Sequence, residues 1–392
     1  MRQQQWARRS NDIQPFHVMA VLARAKALEA AGHDVIHMEI GEPDFTTPEP
    51  IMRAGHAALR NGCTGYTPAL GLPALREAIA AYYQRRYGVD LDPARVVVTP
   101  GGSAALLLIS ALLVEAGQQV LMADPSYPCN RNFLRLVEAS AQLIPTGPDS
   151  RYQLTPALLE AHWNSRSAAV LAASPANPTG TLLQREELLA LAETTRRLGG
   201  HLVVDEIYHG LTYDCAASSV LEVAPDAFVL NSFSKYFGMT GWRLGWLVAP
   251  EAAVPELEKL AQNLYICAPH MAQQAALAAF SEETLSICEA RREAFQQRRD
   301  FLLPALRDLG FRIPVTPEGA FYLYADMQRF GGDSAGLCRH LIETQHLALT
   351  PGLDFGHHRC NEHVRFAYTA SLPRLEQAVE RLQRGLAQWP SV

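Results

Sequence analysis

Short apolar runs alternate with helical stretches through the middle of the chain, and this pattern constrains the fold more than any other feature. Six runs carry it: RVVVT (95–99), QVLMAD (119–124), AAVLAAS (168–174), HLVVDE (201–206), AFVLNSFS (227–234) and RLGWLVAP (243–250). Because the runs are continuous rather than alternating with polar residues, both faces of each predicted strand are buried. The helices between them predict an α/β fold, with a mainly parallel sheet wrapped by helices on both sides.

A different pattern follows a helical region at about 251–309. The stretches FRIPV, FYLYAD and HVRFAYT predict strands of a smaller α+β domain, which ends in the helix PRLEQAVERLQRGLAQW. A length of 392 residues also exceeds what one core usually fills. We predict an N-terminal segment (1–45) that packs with the small domain, a large domain (46–290) and a small C-terminal domain (291–392), with the boundary inside a long helix.

Two helices are predicted ahead of the apolar runs. The stretch HVMAVLARAKALEAA (17–31) reads as an amphipathic helix closed by Gly32. The stretch TPEPIMRAGHAALRNG predicts a second helix, with Thr47 as its N-cap, Pro48 in its first position and Gly62 at its end.

Charge and composition exclude several classes of protein. A formal net charge of −6 does not suggest a surface for nucleic acid or for anionic membranes. No run approaches the roughly 18 apolar residues of a membrane span, and the N-terminus lacks the apolar core of a secretory signal. The seven cysteines are scattered and form no CxxC motif, which is typical of free thiols in a reducing compartment. We therefore expect a cytoplasmic protein.

Lysine is rare in this chain, and one lysine stands apart. Of 34 Lys and Arg residues only three are lysines, so 31 are arginines. Lys26 and Lys259 lie beside glutamates, as on solvated helix faces. Lys235 lies in NSFSKYFGMTGWRLG, with no carboxylate nearby in sequence. An amine, unlike a guanidinium, can lose its proton and attack a carbonyl carbon, so Lys235 is a candidate nucleophile.

The stretch TPGGSAALL follows the first apolar run and predicts the start of a helix at about residue 102. Gly101 and Gly102 leave backbone N–H groups free to face an anion at a positive helix end. A tight strand-to-helix turn explains the same residues. No GK[ST] follows, so it is not a P-loop, and no GxGxxG of a dinucleotide enzyme occurs in the chain.

Other polar residues follow the predicted strands, where ligands bind in open α/β sheets. Asp205 at the end of a buried strand requires a cation, either a structural partner or a protonated ring nitrogen. Asn177 lies in a turn between prolines. The hydroxyls of SFSK and the guanidinium of Arg243 suit a phosphate. A phosphate, a protonated ring and an aldehyde for Lys235 together describe pyridoxal 5′-phosphate (PLP).

The chain resembles the class I/II aminotransferases of fold type I, and within them the bacterial subgroup with GEPDF near its start. The resemblance runs from about 13 to 389 and rests on an ordered set of motifs: GEPDFTTP (41–48), GYTPALGLPALREAIA (65–80), DPSYP (124–128), NPTG (177–180), DEIY (205–208), SFSKYFGMTGWRLG (232–245) and VRFAYT (364–369). It implies a PLP enzyme whose seven-stranded, mainly parallel sheet lies in the large domain, acting by ping-pong transamination.

The resemblance also implies roles for the matched residues at the cofactor. Lys235 forms the Schiff base, Asp205 pairs with the pyridine nitrogen, Tyr208 and Asn177 hold the phenolic oxygen, and Tyr127 stacks on the ring. One group of residues holds the phosphate: Gly102, Ser103, Ala104, Ser232, Ser234 and Arg243. Tyr66 matches a tyrosine that reaches the phosphate of a neighbouring subunit, which implies a homodimer with shared active sites.

On the substrate side, the resemblance assigns the α-carboxylate to Arg365, with Gly41 and Asn177 beside it. Some aspartate-using members carry a lysine where this chain has Ser103. Ile13 and Phe16 fall where a mobile segment covers the substrate. Together these residues favour a neutral or apolar amino donor, although an aspartate-preferring enzyme is an alternative.

The sequence allows three other interpretations. GHHRCNEH (356–363) contains possible zinc ligands, but their spacing fits no standard pattern, so we expect no metal. A β-lyase or decarboxylase would use the same lysine and cofactor. A ligand-sensing regulator would need a DNA-binding segment ahead of the matched region, and the net charge is negative.

Overall fold

The computed structural model describes residues 6–390. Its strands are β1 (Ile36–His37), β2 (Val96–Thr99), β3 (Gln119–Asp124), β4 (Ser140–Pro145), β5 (Ser167–Ala173), β6 (His201–Asp205), β7 (Phe228–Ser232), β8 (Gly245–Val248), β9 (Tyr322–Asp326), β10 (Leu347–Ala348), β11 (Thr350–Pro351) and β12 (His363–Ala367). Its α-helices are α1 (Arg9–Asp12), α2 (His17–Ala30), α3 (Glu49–Arg60), α4 (Pro73–Tyr87), α5 (Gly102–Leu113), α6 (Cys129–Leu136), α7 (Pro156–His162), α8 (Arg185–Arg197), α9 (Val254–Leu264), α10 (His270–Ala276), α11 (Glu282–Asp308), α12 (Ser334–Gln345) and α13 (Leu372–Gln388).

The central sheet has seven strands in the order β2-β8-β7-β6-β5-β3-β4. All neighbours pair in parallel except β8, which runs antiparallel to both β2 and β7. Every residue of β2, β7 and β8 is buried, because helices cover both faces of the sheet. The predicted α/β fold, with a mainly parallel sheet wrapped by helices, is confirmed.

The structure differs from the sequence predictions at four places. Strand β4 was not predicted; it lies at the edge of the sheet, and its half-buried, partly polar residues lack the apolar run of a central strand. FRIPV forms only a single bridge, Arg312 to Asp326, rather than a strand. The cap of α3 is Pro48 and not Thr47, whose hydroxyl donates to Gly238 O instead. Pro48 accordingly lies outside the helix rather than in its first position.

A second, three-stranded antiparallel sheet has the order β11-β12-β9 and contacts helix α12, which in turn packs against α13. The N-terminal segment joins this region, since β1 pairs in parallel with β10 and α2 contacts β10 and β11. Helix α11 runs without a break through residue 290. The division of the chain at residues 45 and 290 stays a prediction.

The carboxyl ends of β2, β5, β6 and β7 meet at one edge of the central sheet. Ser103, Asn177, Asp205 and Lys235 lie at these ends or within a few residues of them, so the fold brings them to one place. The loop before β12 and the start of α2 cover this place from the side of the small sheet. Within residues 6–390, no helix combines the length and apolar character needed to cross a membrane.

Candidate active site

A cavity of about 350 Å³ opens at the carboxyl ends of the central strands. Twelve of the predicted site residues line it: Phe16, Gly41, Gly102, Ser103, Tyr127, Asn177, Asp205, Tyr208, Ser234, Lys235, Arg243 and Arg365. Four do not: Ile13, Tyr66, Ala104 and Ser232. The cavity size suits a small-molecule site.

Lys235 projects its amine into this cavity. Its Nζ donates to Gly41 O at 2.7 Å and lies 6.0 Å from the ring centroids of Tyr208 and Phe321. Burial lowers the pKa of Lys235 to about 8, against the opposing field of Glu42. A substantial fraction of the amine is therefore neutral near pH 8, which is the form that attacks a carbonyl.

Asp205 ends β6 with its side chain on the cavity floor and is only 6% exposed. Its Oδ1 accepts one hydrogen bond, from Ile207 N at 3.0 Å. Burial raises the pKa of Asp205 to about 7, and the field of Lys235 offsets only part of that effect. A cation supplied by a ligand would stabilise the ionised carboxylate in this place.

Arg365 on β12 presents a guanidinium to the opposite side of the cavity. It lies against two rings, 4.3 Å from the centroid of Tyr322 and 4.8 Å from that of Phe355. Nη1 donates to Asn177 Oδ1 at 3.0 Å, and Nη2 donates to Glu39 O. Its Nε has no partner among the described residues. An orientated fork with a free N–H suits a carboxylate.

Two tyrosines close the floor between Lys235 and Arg365. Tyr208 and Tyr322 are hydrogen-bonded through their hydroxyls at 2.8 Å. A Cβ at Gly41 would lie 2.0 Å from the hydroxyl oxygen of Tyr322, so only glycine fits there. The sequence analysis missed Tyr322, although its position in the FYLYAD strand next to VRFAYT is a signal that could have identified it.

An anion cradle lies at the start of α5. Gly101 has a φ of +82°, and a Cβ there would lie 2.6 Å from Arg243 Nη2. Gly102 begins the 12-residue helix, whose positive end faces the cavity beside Ser234 and Arg243. The Ser232 hydroxyl lies behind Ser234, bonded to it at 2.9 Å and to Leu244 O at 3.0 Å. Ser232 thus supports Ser234 from outside the cavity.

The remaining predicted residues lie away from the cavity. Ile13 is the C-cap of the short helix α1, and Ala104 is the third residue of α5, directly after Ser103. Tyr66 is 81% exposed on the surface of this chain. The histidine-rich loop binds Asp124 through the main-chain N–H groups of His357 and His358. Within residues 6–390, no group of three or more potential ligands could hold a metal.

Comparison with known proteins decides the family. Residues 33–382 match the family described as "Aminotransferase class I and II". The chain belongs to this family. Its active site therefore uses PLP, and its reaction transfers an amino group from an amino acid to a 2-oxo acid.

Relatives of this aminotransferase match over nearly their full length. It is 39% identical to a valine–pyruvate aminotransferase of Mycobacterium tuberculosis, covering 94% of this chain and 96% of that protein. It is 36% identical to an aspartate aminotransferase of Geobacillus stearothermophilus, covering 96% and 98% respectively. The relatives thus include an enzyme named for a neutral donor, valine, and an enzyme named for an acidic donor, aspartate.

Solved aminotransferases share the fold. An aminotransferase from M. tuberculosis superposes with a TM-score of 0.95 at 38% identity, covering 98% of this chain and 100% of that one. The aspartate aminotransferase of Thermus thermophilus with maleate gives 0.92 at 33% identity, with the same coverage. The chain accordingly has the fold of the PLP aminotransferases of fold type I.

The cavity of this aminotransferase fits PLP chemically. Lys235 offers an amine with a lowered pKa, and Asp205 is a buried carboxylate that lacks a strong cationic partner. The cradle at Gly101 and Arg243 offers N–H groups and a positive charge to a phosphate. The three features lie on the walls of one cavity, as a single ligand with an aldehyde, a ring nitrogen and a phosphate requires.

Proposed function

We propose that this aminotransferase prefers neutral or apolar L-amino acids, valine among them, over aspartate as amino donors. The observation that carries the proposal is that every cationic side chain described in the cavity already has a role. Among the described lining residues the cations are Lys235, Arg243 and Arg365, and the chemistry of PLP and of the α-carboxylate occupies all three. A distal carboxylate on the donor finds no further cation from this chain and would be costly to bury.

The cavity wall supports the same preference. Its apolar part includes Phe16, Val18, Met19, Ile40, Pro128 and Phe355. Burial against such a wall stabilises an apolar donor side chain, whereas a distal carboxylate would lose its hydration there without a compensating cation.

We infer the following roles for the residues. PLP, when bound, supplies the electron sink for the electrons of the substrate Cα–H bond. Lys235 Nζ would take the proton from the substrate Cα, because its lowered pKa leaves a neutral amine near pH 8. Asp205 holds positive charge at the pyridine nitrogen. Arg365 orientates the α-carboxylate, and the apolar wall excludes water.

We also propose a homodimer in which Tyr66 reaches the phosphate site of the other subunit. Tyr66 is 81% exposed although it lies in a segment fixed by hydrogen bonds, with Thr67 N to Cys267 Sγ at 3.5 Å. Leu264 and Ile266, near that contact, are 46% and 49% exposed. Exposed aromatic and aliphatic side chains grouped in this way are typical of an interface.

The test is kcat/KM for valine, leucine, alanine, phenylalanine and aspartate with a common 2-oxo acid acceptor. We expect each neutral donor to exceed aspartate by about tenfold or more. The variant Ser103→Lys places a cation at the phosphate loop and should raise kcat/KM for aspartate relative to valine. Aspartate leading by about tenfold or more in the wild type would overturn the proposal and leave the aminotransferase assignment intact.

A further inference from the structure

His37, the last residue of β1, lies between two carboxylates. Its Nδ1 is 2.8 Å from Glu39 Oε1, and its Nε2 is 3.0 Å from Glu29 Oε1. Ionised carboxylates only accept hydrogen bonds, so both ring nitrogens must donate. Neutral imidazole has one N–H and imidazolium has two. The geometry therefore holds His37 as a cation.

Glu39 depends on that cation. It is completely buried, and its Oε2 has no hydrogen-bond partner within residues 6–390. A buried carboxylate is destabilising unless a charge compensates it, and the His37 ring is the partner that its other oxygen contacts. Loss of the imidazolium proton would leave the Glu39 charge buried without compensation.

The main chain of this segment holds both cavity cations that act on the substrate. Glu39 O accepts from Arg365 Nη2 and from Thr350 Oγ1, the latter at 2.8 Å. Two residues further on, Gly41 O accepts from Lys235 Nζ at 2.7 Å. A displacement of Glu39 would therefore be passed directly to Arg365 and Lys235.

We propose that protonated His37 is a pH-sensitive positioning residue, which fixes the Glu39–Gly41 segment and through it the carboxylate-binding geometry of Arg365. This inference rests on the proposed role of Arg365 but not on the proposed donor preference. Deprotonation of His37 at alkaline pH would release the segment and weaken the binding of every amino donor, because all donors share the α-carboxylate.

The charges around His37 agree with this proposal. The hydrogen bond to Glu39, followed by contact with Glu29, raises the pKa of His37 above its usual value against the effect of burial. Lys26, on the same helix as Glu29, competes for that carboxylate at 2.8 Å. Other charged or titratable groups of the packed elements are engaged elsewhere: Arg24 with Glu343, Arg374 and Arg381 with Asp34, and His33 against His346.

The experiment is the pH dependence of KM and kcat for alanine in the PLP-loaded enzyme. We expect KM of the wild type to rise at alkaline pH. Glu29→Gln removes one carboxylate from His37 and should move that rise to lower pH by about half a unit or more. Glu343→Gln breaks the ion pair that Arg24 makes from the same helix as Glu29; it is the matched control and should leave the profile unchanged.

His37→Gln should raise KM by about tenfold with a smaller effect on kcat. It should also make KM independent of pH. In the double variant His37→Gln/Glu39→Gln two neutral amides replace the charged pair, so KM should recover in part and stay independent of pH. Equal profiles for Glu29→Gln and Glu343→Gln would overturn the proposal. The proposal would also be overturned if, in His37→Gln, kcat fell by the same factor as KM rose and the double variant recovered neither.

Discussion

Arg365 Nη1 donates to Asn177 Oδ1 at 3.0 Å, and this bond joins β12 of the small sheet to the loop that follows β5 of the central sheet. The same guanidinium packs against Tyr322 and Phe355. Its orientation is thus fixed by contacts from both sheets. A planar donor held in this way can bind a carboxylate with two parallel hydrogen bonds.

Arg365→Leu should lower kcat/KM for every amino donor, because it removes a bidentate charged contact with a group that all donors share. The loss of transition-state stabilisation should be about 2–5 kcal/mol. Arg365→Lys should recover only part of the loss, since an ammonium lacks the fork. The measurement is kcat/KM for alanine, valine and aspartate in both variants. A loss confined to one donor would contradict an α-carboxylate role.

Asp205→Asn should separate stability from activity. The pKa of Asp205 is raised from 3.8 to about 7, so the folded protein binds more protons than the unfolded chain between these values, and stability falls as pH rises through that window. Asparagine removes the buried charge. We expect the cofactor-free variant to be more stable at pH 8 by on the order of 1–4 kcal/mol, and little changed below pH 4.

The same Asp205→Asn variant should lose turnover by about a hundredfold or more, because a neutral amide cannot hold positive charge at the ring nitrogen. Urea unfolding of the cofactor-free proteins at both pH values gives the stability, and steady-state assays give the turnover. A variant that is less stable at pH 8 and fully active would contradict both halves of this prediction.

Gly41→Ala should disturb the site through Tyr322. The new Cβ would lie 2.0 Å from the Tyr322 hydroxyl and 3.1 Å from Cζ of the same ring. We expect kcat/KM to fall by about tenfold or more, because small displacements of groups around the substrate are costly. Tyr322→Phe removes the clashing oxygen, so the double variant should be more active than Gly41→Ala alone. Equal activity of Gly41→Ala and wild type would exclude this packing constraint.

Asp354→Ala should loosen helix α2 over the cavity. The Asp354 carboxylate accepts from His17 N at 2.8 Å and Val18 N at 2.9 Å, and so caps a helix whose own N-cap residue supplies no side-chain bond. We expect a loss of about 1–2 kcal/mol in the free energy of unfolding, and faster hydrogen exchange at these two amides. Asp354→Asn keeps one accepting oxygen, so its free energy of unfolding and its exchange rates should lie between those of the wild type and Asp354→Ala. Unchanged exchange in Asp354→Ala would contradict the capping role.

Much of the fold and of the site could be predicted from the sequence, because their signals are local. The residues of β2 and β7 are buried on both faces, and this is visible as unbroken apolar runs. Asp205 ends one strand of the sheet, and Asn177 and Lys235 follow two others, so a parallel sheet places them at one edge regardless of their separation along the chain. The motif match then supplied Arg365, which lies in the other sheet.

What could not be predicted depends on contacts between distant residues. Thr47 looks like an N-cap, but its hydroxyl bonds to Gly238 O and accepts from Trp242 Nε1, almost 200 positions away. Tyr322 reaches Tyr208 across the interface between the two sheets. Strand β4 has ordinary edge-strand composition, which a loop shares. No periodicity in the sequence records these pairings.

Lys235 is the centre of the account, and covalent mapping tests it most directly. Borohydride reduction of the PLP-loaded enzyme, followed by protease digestion and mass spectrometry, locates the residue that carries the cofactor. We expect reduced PLP on the peptide that contains Lys235 in the wild type, and no label on the corresponding peptide of Lys235→Ala. Stoichiometric labelling of Lys26 or Lys259 in the wild type, with full turnover retained by Lys235→Ala, would contradict it.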